Sequence, residues 1–457
     1  MIGTGSAGMA AALRAVELGG RVRIIESGTI GGTCVNVGCI PSKSLISAAE
    51  MVHAAHRGFP GVAGCEPRVE WRALLEGKRE LVAELRGKKY EHVLASRSGI
   101  EVLRGRARLV GDGWVEVDGA RYAARKIVIA TGTEPWLPDL PGLDDIDVLT
   151  STTAMEVADP PASLLVLGGN TVGVELAQAF ARFGTRVTVL ELLLRLVAGE
   201  DADASAALQT ALELEGIEVH TATTPLEVSQ SGAGVVVHAR TPAGERAFRA
   251  QRLLAATGRR PRLEDLGLED VAVELDDRGF VRVDAGMRTS NPDIFAAGDV
   301  TGGPGFVYVA AAAGRVAAEN AMLNGRVELD LNAVPRVTFT SPQVAAVGLT
   351  ATEAERAGFA VDVTRLELEH VPRALVEHRR SGWVKIIAES GSRRILGVHA
   401  IGPNAAELLG EATLAVRKGL TVNDLVETMH PYLTWVEAMR LAAQSFTVDV
   451  EELSCCA

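Results

Sequence analysis

The segment Gly31-Gly-Thr-Cys34-Val-Asn-Val-Gly-Cys39-Ile-Pro-Ser-Lys43 carries the residue types best suited to chemistry. Two cysteines this close, at the start of a helix, can close a small disulfide, and paired cysteines in a reducing compartment point to redox work or metal ligation. A helix N-terminus favours the charged form of a thiol, so Cys39 is the expected thiolate. Gly31, Gly32 and Gly38 permit close approach of backbone and ligand. A second pair closes the chain in Leu453-Ser-Cys455-Cys456-Ala457. Adjacent cysteines on a flexible end make poor staples and good mobile ligands for a soft metal. Cys65, alone in a loop rich in glycine and proline, reads as incidental.

Elements must hold the first pair in place, and the chain announces them. Gly3-x-Gly5-x-x-Gly8 opens an alanine-rich helix (Met9 to Leu18), and a short apolar strand, Val22 to Ile25, ends at Glu26. Glycines for the turn, a helix N-terminus for a pyrophosphate and an acid for a ribose hydroxyl make this a dinucleotide-binding unit. Only Met1 and Ile2 precede Gly3, where a strand is expected. Its loss would leave both neighbouring strands without a partner, so the natural chain is expected to begin further upstream.

A second unit starts at Leu164 to Leu167, turns through Gly168 to Gly173, continues as a helix from Val174 to Phe183 and ends its next strand at Glu191. Asn170 occupies the place of the second glycine. Ala130-Thr131-Gly132 and Ala256-Thr257-Gly258-Arg259 each close an apolar strand, and a further strand ends in Gly298-Asp299. From about Leu331 the texture changes to alternating strands (Ala345 to Gly348, Trp383 to Ile387, Leu396 to Ala400). Two helices follow, Asn404 to Gly419 and Thr434 to Ser445. The fold class is therefore α/β, two Rossmann-like domains plus a C-terminal α+β domain.

Bulk properties agree. A chain of 457 residues exceeds one ordinary core. Its net charge of −12, with no long basic run to offset it, argues against a nucleic-acid partner. No apolar run approaches bilayer length and no basic, apolar leader opens the chain, so no membrane partner and a cytoplasmic location are expected. Five cysteines are too few for a disulfide scaffold.

The Cys34 to Lys43 segment, the two nucleotide units and Gly298-Asp299 resemble the glutathione reductase and lipoamide dehydrogenase superfamily along essentially the whole chain. The resemblance implies FAD and either NADPH or NADH as cofactors. It implies a flavin domain from 1–150 and 265–330, an NAD(P)H domain from 151–264 and a dimerisation domain from 331–457 that carries the tail. Glu26 and Asp299 would contact FAD, Cys39 would face the flavin and Cys34 would exchange with substrate. Lys43 and Glu175 would pair beside the flavin. The remaining cofactor positions would be Gly3, Gly5, Gly8, Gly32, Thr33, Thr131, Gly132, Gly168, Gly173, Glu191, Gly258 and Val307.

Departures narrow the family. Disulfide-reducing members place a histidine five residues before a glutamate; here that spacing from Glu437 reaches Tyr432, and His430 is two residues off. A phenol is a poor proton shuttle at neutral pH but can hydrogen-bond to a sulfur or halide. Tyr432, the Cys455-Cys456 tail, Phe306-Val-Tyr308-Val-Ala-Ala-Ala-Ala-Gly314 and Val371-Pro-Arg-Ala374 resemble the mercuric reductase family, of which the chain is identified as a member. That resemblance implies a homodimer in which Cys455 and Cys456 take Hg(II) from small thiols and pass it to the partner's Cys34 and Cys39 for reduction. The competing readings are a dihydrolipoamide dehydrogenase-like disulfide reductase and a flavoprotein that binds metal without turnover. The aromatic residue common before a Thr-Ser-Thr run is absent, since Val148 and Leu149 precede Thr150. Glu191, followed by three leucines, suits the free ribose of NADH, although Arg195 stands close enough to serve a phosphate.

Overall fold

The computed structural model describes residues 1–111, 113–232 and 234–450, so Cys455 and Cys456 lie outside the described residues. Two copies of one plan make up its first two thirds. In the second copy Ser163–Leu167 is buried throughout, the pattern of a strand covered on both faces. It sits at the centre of a parallel sheet, between Arg186–Leu190 and Arg252–Ala255, with Glu218–His220 and Leu149–Thr150 at the edges. In the first copy Val22–Glu26 pairs with Ile100–Arg104, and Ile127–Ile129 with Ile294–Ala296, again in parallel.

The centre of that first sheet is where the sequence lacks a strand. The expectation that its neighbours stand unpartnered is corrected by the structure. Ile2 bridges Ile25 on one side and Ile129 on the other. Ile2 N–H donates to Val128 O at 2.9 Å, and Gly3 N–H to Ile25 O at 2.8 Å. Two residues thus supply the joint, and behind them the same two strands line a cavity of about 700 Å³ with Met1 at its wall.

Each copy also inserts a three-stranded antiparallel meander ahead of its Ala-Thr-Gly strand. One comprises Ala107–Leu109, Trp114–Val117 and Ala120–Ala123; the other Thr224–Ser231, Gly234–Thr241 and Gly244–Ala250.

The third unit is an antiparallel sheet ordered Arg336–Thr338, Gln343–Gly348, Ile395–Gly402, Trp383–Glu389, Val361–Glu367. The helices Ala405–Lys418 and Glu437–Gln444 cover it with Leu408, Leu409, Met439 and Ala442. These are shorter than the sequence suggests, and a further helix, Val422–Glu427, intervenes behind the cap of Thr421. Buried and half-buried ionic contacts join this unit to the second copy. Lys385 Nζ reaches both oxygens of Asp201 at 2.9 Å and Asp203 at 2.8 Å, and Arg336 grips Glu200.

Candidate active site

The thiol loop lies against the first glycine turn. Gly31 (φ 105°) and Gly32 (φ 65°) adopt left-handed backbone open to glycine, and a Cβ on Gly32 would sit 2.6 Å from Gly5 Cα. The two loops therefore touch backbone to backbone. Cys34 lies within the helix Gly32–Val37; Gly38 breaks it, and Cys39 is the first residue of the helix Cys39–Arg57. Both thiols are free.

Their environments push them apart. The Cys34 S–H hydrogen-bonds the Cys39 sulfur, and this contact, with the positive charge of Lys43, lowers the Cys39 thiol to about 7 against the cost of burial. The same contact and burial push the Cys34 thiol up. One sulfur is thus a thiolate near neutrality and the other its proton donor. The lowering favours Cys39 as the thiolate, with the neighbouring thiol as its leading cause and the cation behind it.

One turn further along, Lys43 Nζ meets Glu175 Oε2 at 2.5 Å, so the expected ion pair forms across units. Glu175 is buried, and its other oxygen accepts from Phe339 N–H at 2.8 Å. Lys43 Nζ also lies 4.7 Å from the Phe339 ring centroid. No sequence signal marks Phe339, whose backbone N–H and ring both reach the pair from a distant part of the chain.

The first and last glycines of the duplicated turns make matching close contacts. A Cβ on Gly3 would meet Ala130 O at 2.3 Å, and one on Gly8 would meet Gly3 O at 2.0 Å. The matching distances are 2.4 Å from Gly168 to Ala256 O and 1.9 Å from Gly173 to Gly168 O. Asn170, in the place of a glycine, caps the second helix by accepting from Thr171 N–H at 2.8 Å. Glu26 accepts from Thr4 N–H at 3.1 Å, from the Thr4 hydroxyl and from Gly28 N–H at 2.8 Å. Glu191 is held likewise, by Gly169 and Leu193 N–H. Beside the first turn, Thr131 Oγ1 is buried and has no hydrogen-bond partner. A glycine cradle, strand-end carboxylates and this orphaned hydroxyl fit a dinucleotide.

Asp299 follows Gly298 at the foot of the helix Val307–Leu323, whose first residue, Val307, is exposed. Thr133 O–H donates to Asp299 at 3.3 Å and accepts from Arg259 Nε at 2.8 Å, while Arg259 Nη2 donates to Thr133 O at 2.7 Å. Thr133 and Arg259 were not among the expected site residues. The signal for both is their place immediately after Gly132 and Gly258, the equivalent glycines of the two copies.

Tyr432 stands half-exposed on the loop before Glu437–Gln444, beside Met429 at 95% exposure. The loop is braced at both ends. His430 Nε2 lies 2.8 Å from Glu411 Oε1 and Nδ1 2.9 Å from Thr428 O, and Glu437 accepts from Leu433 N–H at 3.2 Å. His430 is thereby committed to its own subunit. Cys65 packs its backbone N–H on Ala55 O, at the far end of the thiol helix.

Comparison with known proteins places this geometry. The family described as pyridine nucleotide-disulphide oxidoreductase matches residues 1–314, and its dimerisation domain matches 334–443. The mercuric reductase of Streptomyces lividans is 47% identical, the match covering 100% of the chain and 98% of that protein. Those of Shigella flexneri and Bacillus cereus are 45% and 42% identical over the whole chain and 82% and 72% of their own lengths. The chain belongs to the pyridine nucleotide-disulphide oxidoreductase family, among the mercuric reductases. Solved members of the wider family share the fold. LpdA from Mycobacterium tuberculosis superposes with a TM-score of 0.89 at 28% identity, covering 98% of the chain and 99% of its own. The HOCl-induced flavoprotein disulfide reductase RclA from Escherichia coli gives 0.87 at 29%, covering 97% and 98%. Mercuric reductases of this family use FAD and NAD(P)H. No helix among the described residues is long and apolar enough to cross a membrane.

Proposed function

We infer that the chain is a mercury(II) reductase: NAD(P)H and Hg(II) give NAD(P)⁺, a proton and Hg(0). The observation that carries this reading is the polarised thiol pair, set in a chain that matches mercuric reductases from end to end. Bound FAD, reduced by the nicotinamide, supplies two electrons at this site. The protein's own residues handle the metal. Hg(II) is soft and takes two thiolates, so it moves by ligand exchange between cysteine pairs. Cys455 and Cys456 collect it from small cellular thiols. Cys34, the outer thiol, accepts it next and releases its proton as the sulfur binds. Cys39, about half ionised near neutrality, completes a two-sulfur site. Lys43, oriented by Glu175, holds positive charge beside that thiolate. Gly3, Gly5, Gly8, Glu26, Gly32, Thr33, Thr131, Gly132, Asp299 and Val307 hold FAD, and Gly168, Gly173, Glu191 and Gly258 hold the nicotinamide nucleotide.

Tyr432 completes the site from a second subunit, a homodimer supported by the matched dimerisation domain and by the apolar exposure of Met429 and Leu433. Reducing Hg(II) demands no general acid to protonate a leaving thiol, which accounts for a phenol where a disulfide reductase keeps histidine. The reaction is that of a cytoplasmic enzyme, where thiols stay reduced. The test is replacement of Cys455 and Cys456 by alanine. Turnover should fall most when mercury is presented on bulky thiols and least on small ones; equal activity with both would exclude the relay.

A further inference from the structure

We propose that Glu191 and the leucines after it make the chain selective for NADH over NADPH. This rests on the reductase reading only in naming the electron donor. The strand Arg186–Leu190 runs parallel to Ser163–Leu167, which feeds the glycine turn of the second copy, with Leu190 opposite Leu167; Glu191 therefore stands beside that turn, where the nearest ribose falls. Glu191 is buried, with Gly169 N–H on one oxygen and Leu193 N–H on the other at 2.7 Å. These two bonds fix the carboxylate at the mouth of the turn. A carboxylate has about four acceptor positions. The free ones can take the two hydroxyls of an unmodified ribose. A 2′-phosphate offers no proton to them, and its charge has the same sign.

Compensation would require a cation, and the loop has none to spare. Leu192, Leu193 and Leu194 are 60%, 54% and 86% exposed, an apolar lip where a phosphate would lie. The only basic residue from 191 to 198 is Arg195. Its guanidinium turns away and donates to Ala198 O at 2.8 Å and Glu200 O at 3.3 Å. His220, on the adjoining strand, and Arg246, on the meander, both contact Glu218 Oε1, at 2.7 and 2.9 Å. Together these contacts leave a site that accepts hydroxyls and repels phosphate.

The experiment titrates oxidised, FAD-loaded protein with NAD⁺ and NADP⁺, without mercury, and follows binding by calorimetry. Dissociation constants should favour NAD⁺ by roughly tenfold or more, the scale of one uncompensated like-charge contact near a protein surface. Equal affinities, or tighter NADP⁺, would overturn the proposal. Arg195→Ala supplies the second arm. If Arg195 served a phosphate, the variant would weaken NADP⁺ selectively; the proposal predicts an unchanged ratio, and a selective loss refutes it. Because no metal is present, failure here is separate from failure to reduce mercury.

Discussion

Replacing Cys34 isolates what makes Cys39 a thiolate. In the structure the leading cause of its lowered value, about 7, is the hydrogen bond from the Cys34 S–H, with Lys43 adding to it. A hydrogen bond to a charged acceptor is worth about 1.5–3 kcal/mol. At about 1.4 kcal/mol per unit, Cys34→Ala should lift the Cys39 midpoint by about one to two units. The sign follows from the charged form being the one stabilised: removing the donor raises the value, so the thiolate is lost from the neutral range and regained only in alkali. At pH 7 the ionised fraction should fall from about one half to about 1–10%. Alkylation of Cys39 by iodoacetamide, followed by peptide mass spectrometry on FAD-loaded protein, should slow by roughly five- to fifty-fold at that pH, and the rates should converge near pH 10. Wild type is compared in its reduced form, and Cys34→Ala and Cys34→Ser cannot form the disulfide, so Cys39 stays available throughout. Cys34→Ser, which retains an O–H donor, should show a midpoint between wild type and Cys34→Ala. Identical pH profiles for Cys34→Ala and Cys34→Ser would refute the reasoning and leave Lys43 as the controlling group.

Tyr432→Phe keeps the ring and removes its hydroxyl; mercury-dependent turnover should fall roughly tenfold, the scale of one hydrogen bond at the reacting site. Rapid-mixing measurements should place that loss in the metal half-reaction, and a loss confined to flavin reduction would contradict the assignment. Gly8→Ala would put a Cβ 2.0 Å from Gly3 O, so the purified variant should retain little flavin, as read from flavin absorbance per protein. Lys385→Met leaves the buried Asp201 without its cation, while the half-exposed Asp203 keeps Arg365. Stability in urea should drop by about 3–5 kcal/mol, with partial recovery when Asp201→Asn is added.

Much of the fold was legible because its central strands are buried on both faces and so read as unbroken apolar runs, as Ser163–Leu167 does. The meanders were not, because Thr224–Ser231 exposes most of both faces and shows no alternation. Val422–Glu427 was missed for its brevity; its signal is a Thr421–Asp424 capping box, not periodicity. Spacing found the thiols and both glycine turns. It could not show that Asn170 replaces a glycine by capping a helix, nor that Thr133 links Arg259 to Asp299, since both depend on where side chains turn in three dimensions. The missing first strand misled in a physical way. Two residues in the right register satisfied ladder bonds that counting residues had assigned to a whole strand.

The most direct measurement of the central claim is release of mercury vapour from purified, FAD-loaded protein given NADH and thiol-bound Hg(II). Hg(0) should appear in proportion to NADH oxidised, one for one, with no release when Cys34 and Cys39 are both alanine. Turnover of dihydrolipoamide or glutathione disulfide, without mercury-dependent oxidation of NADH or NADPH, would contradict it.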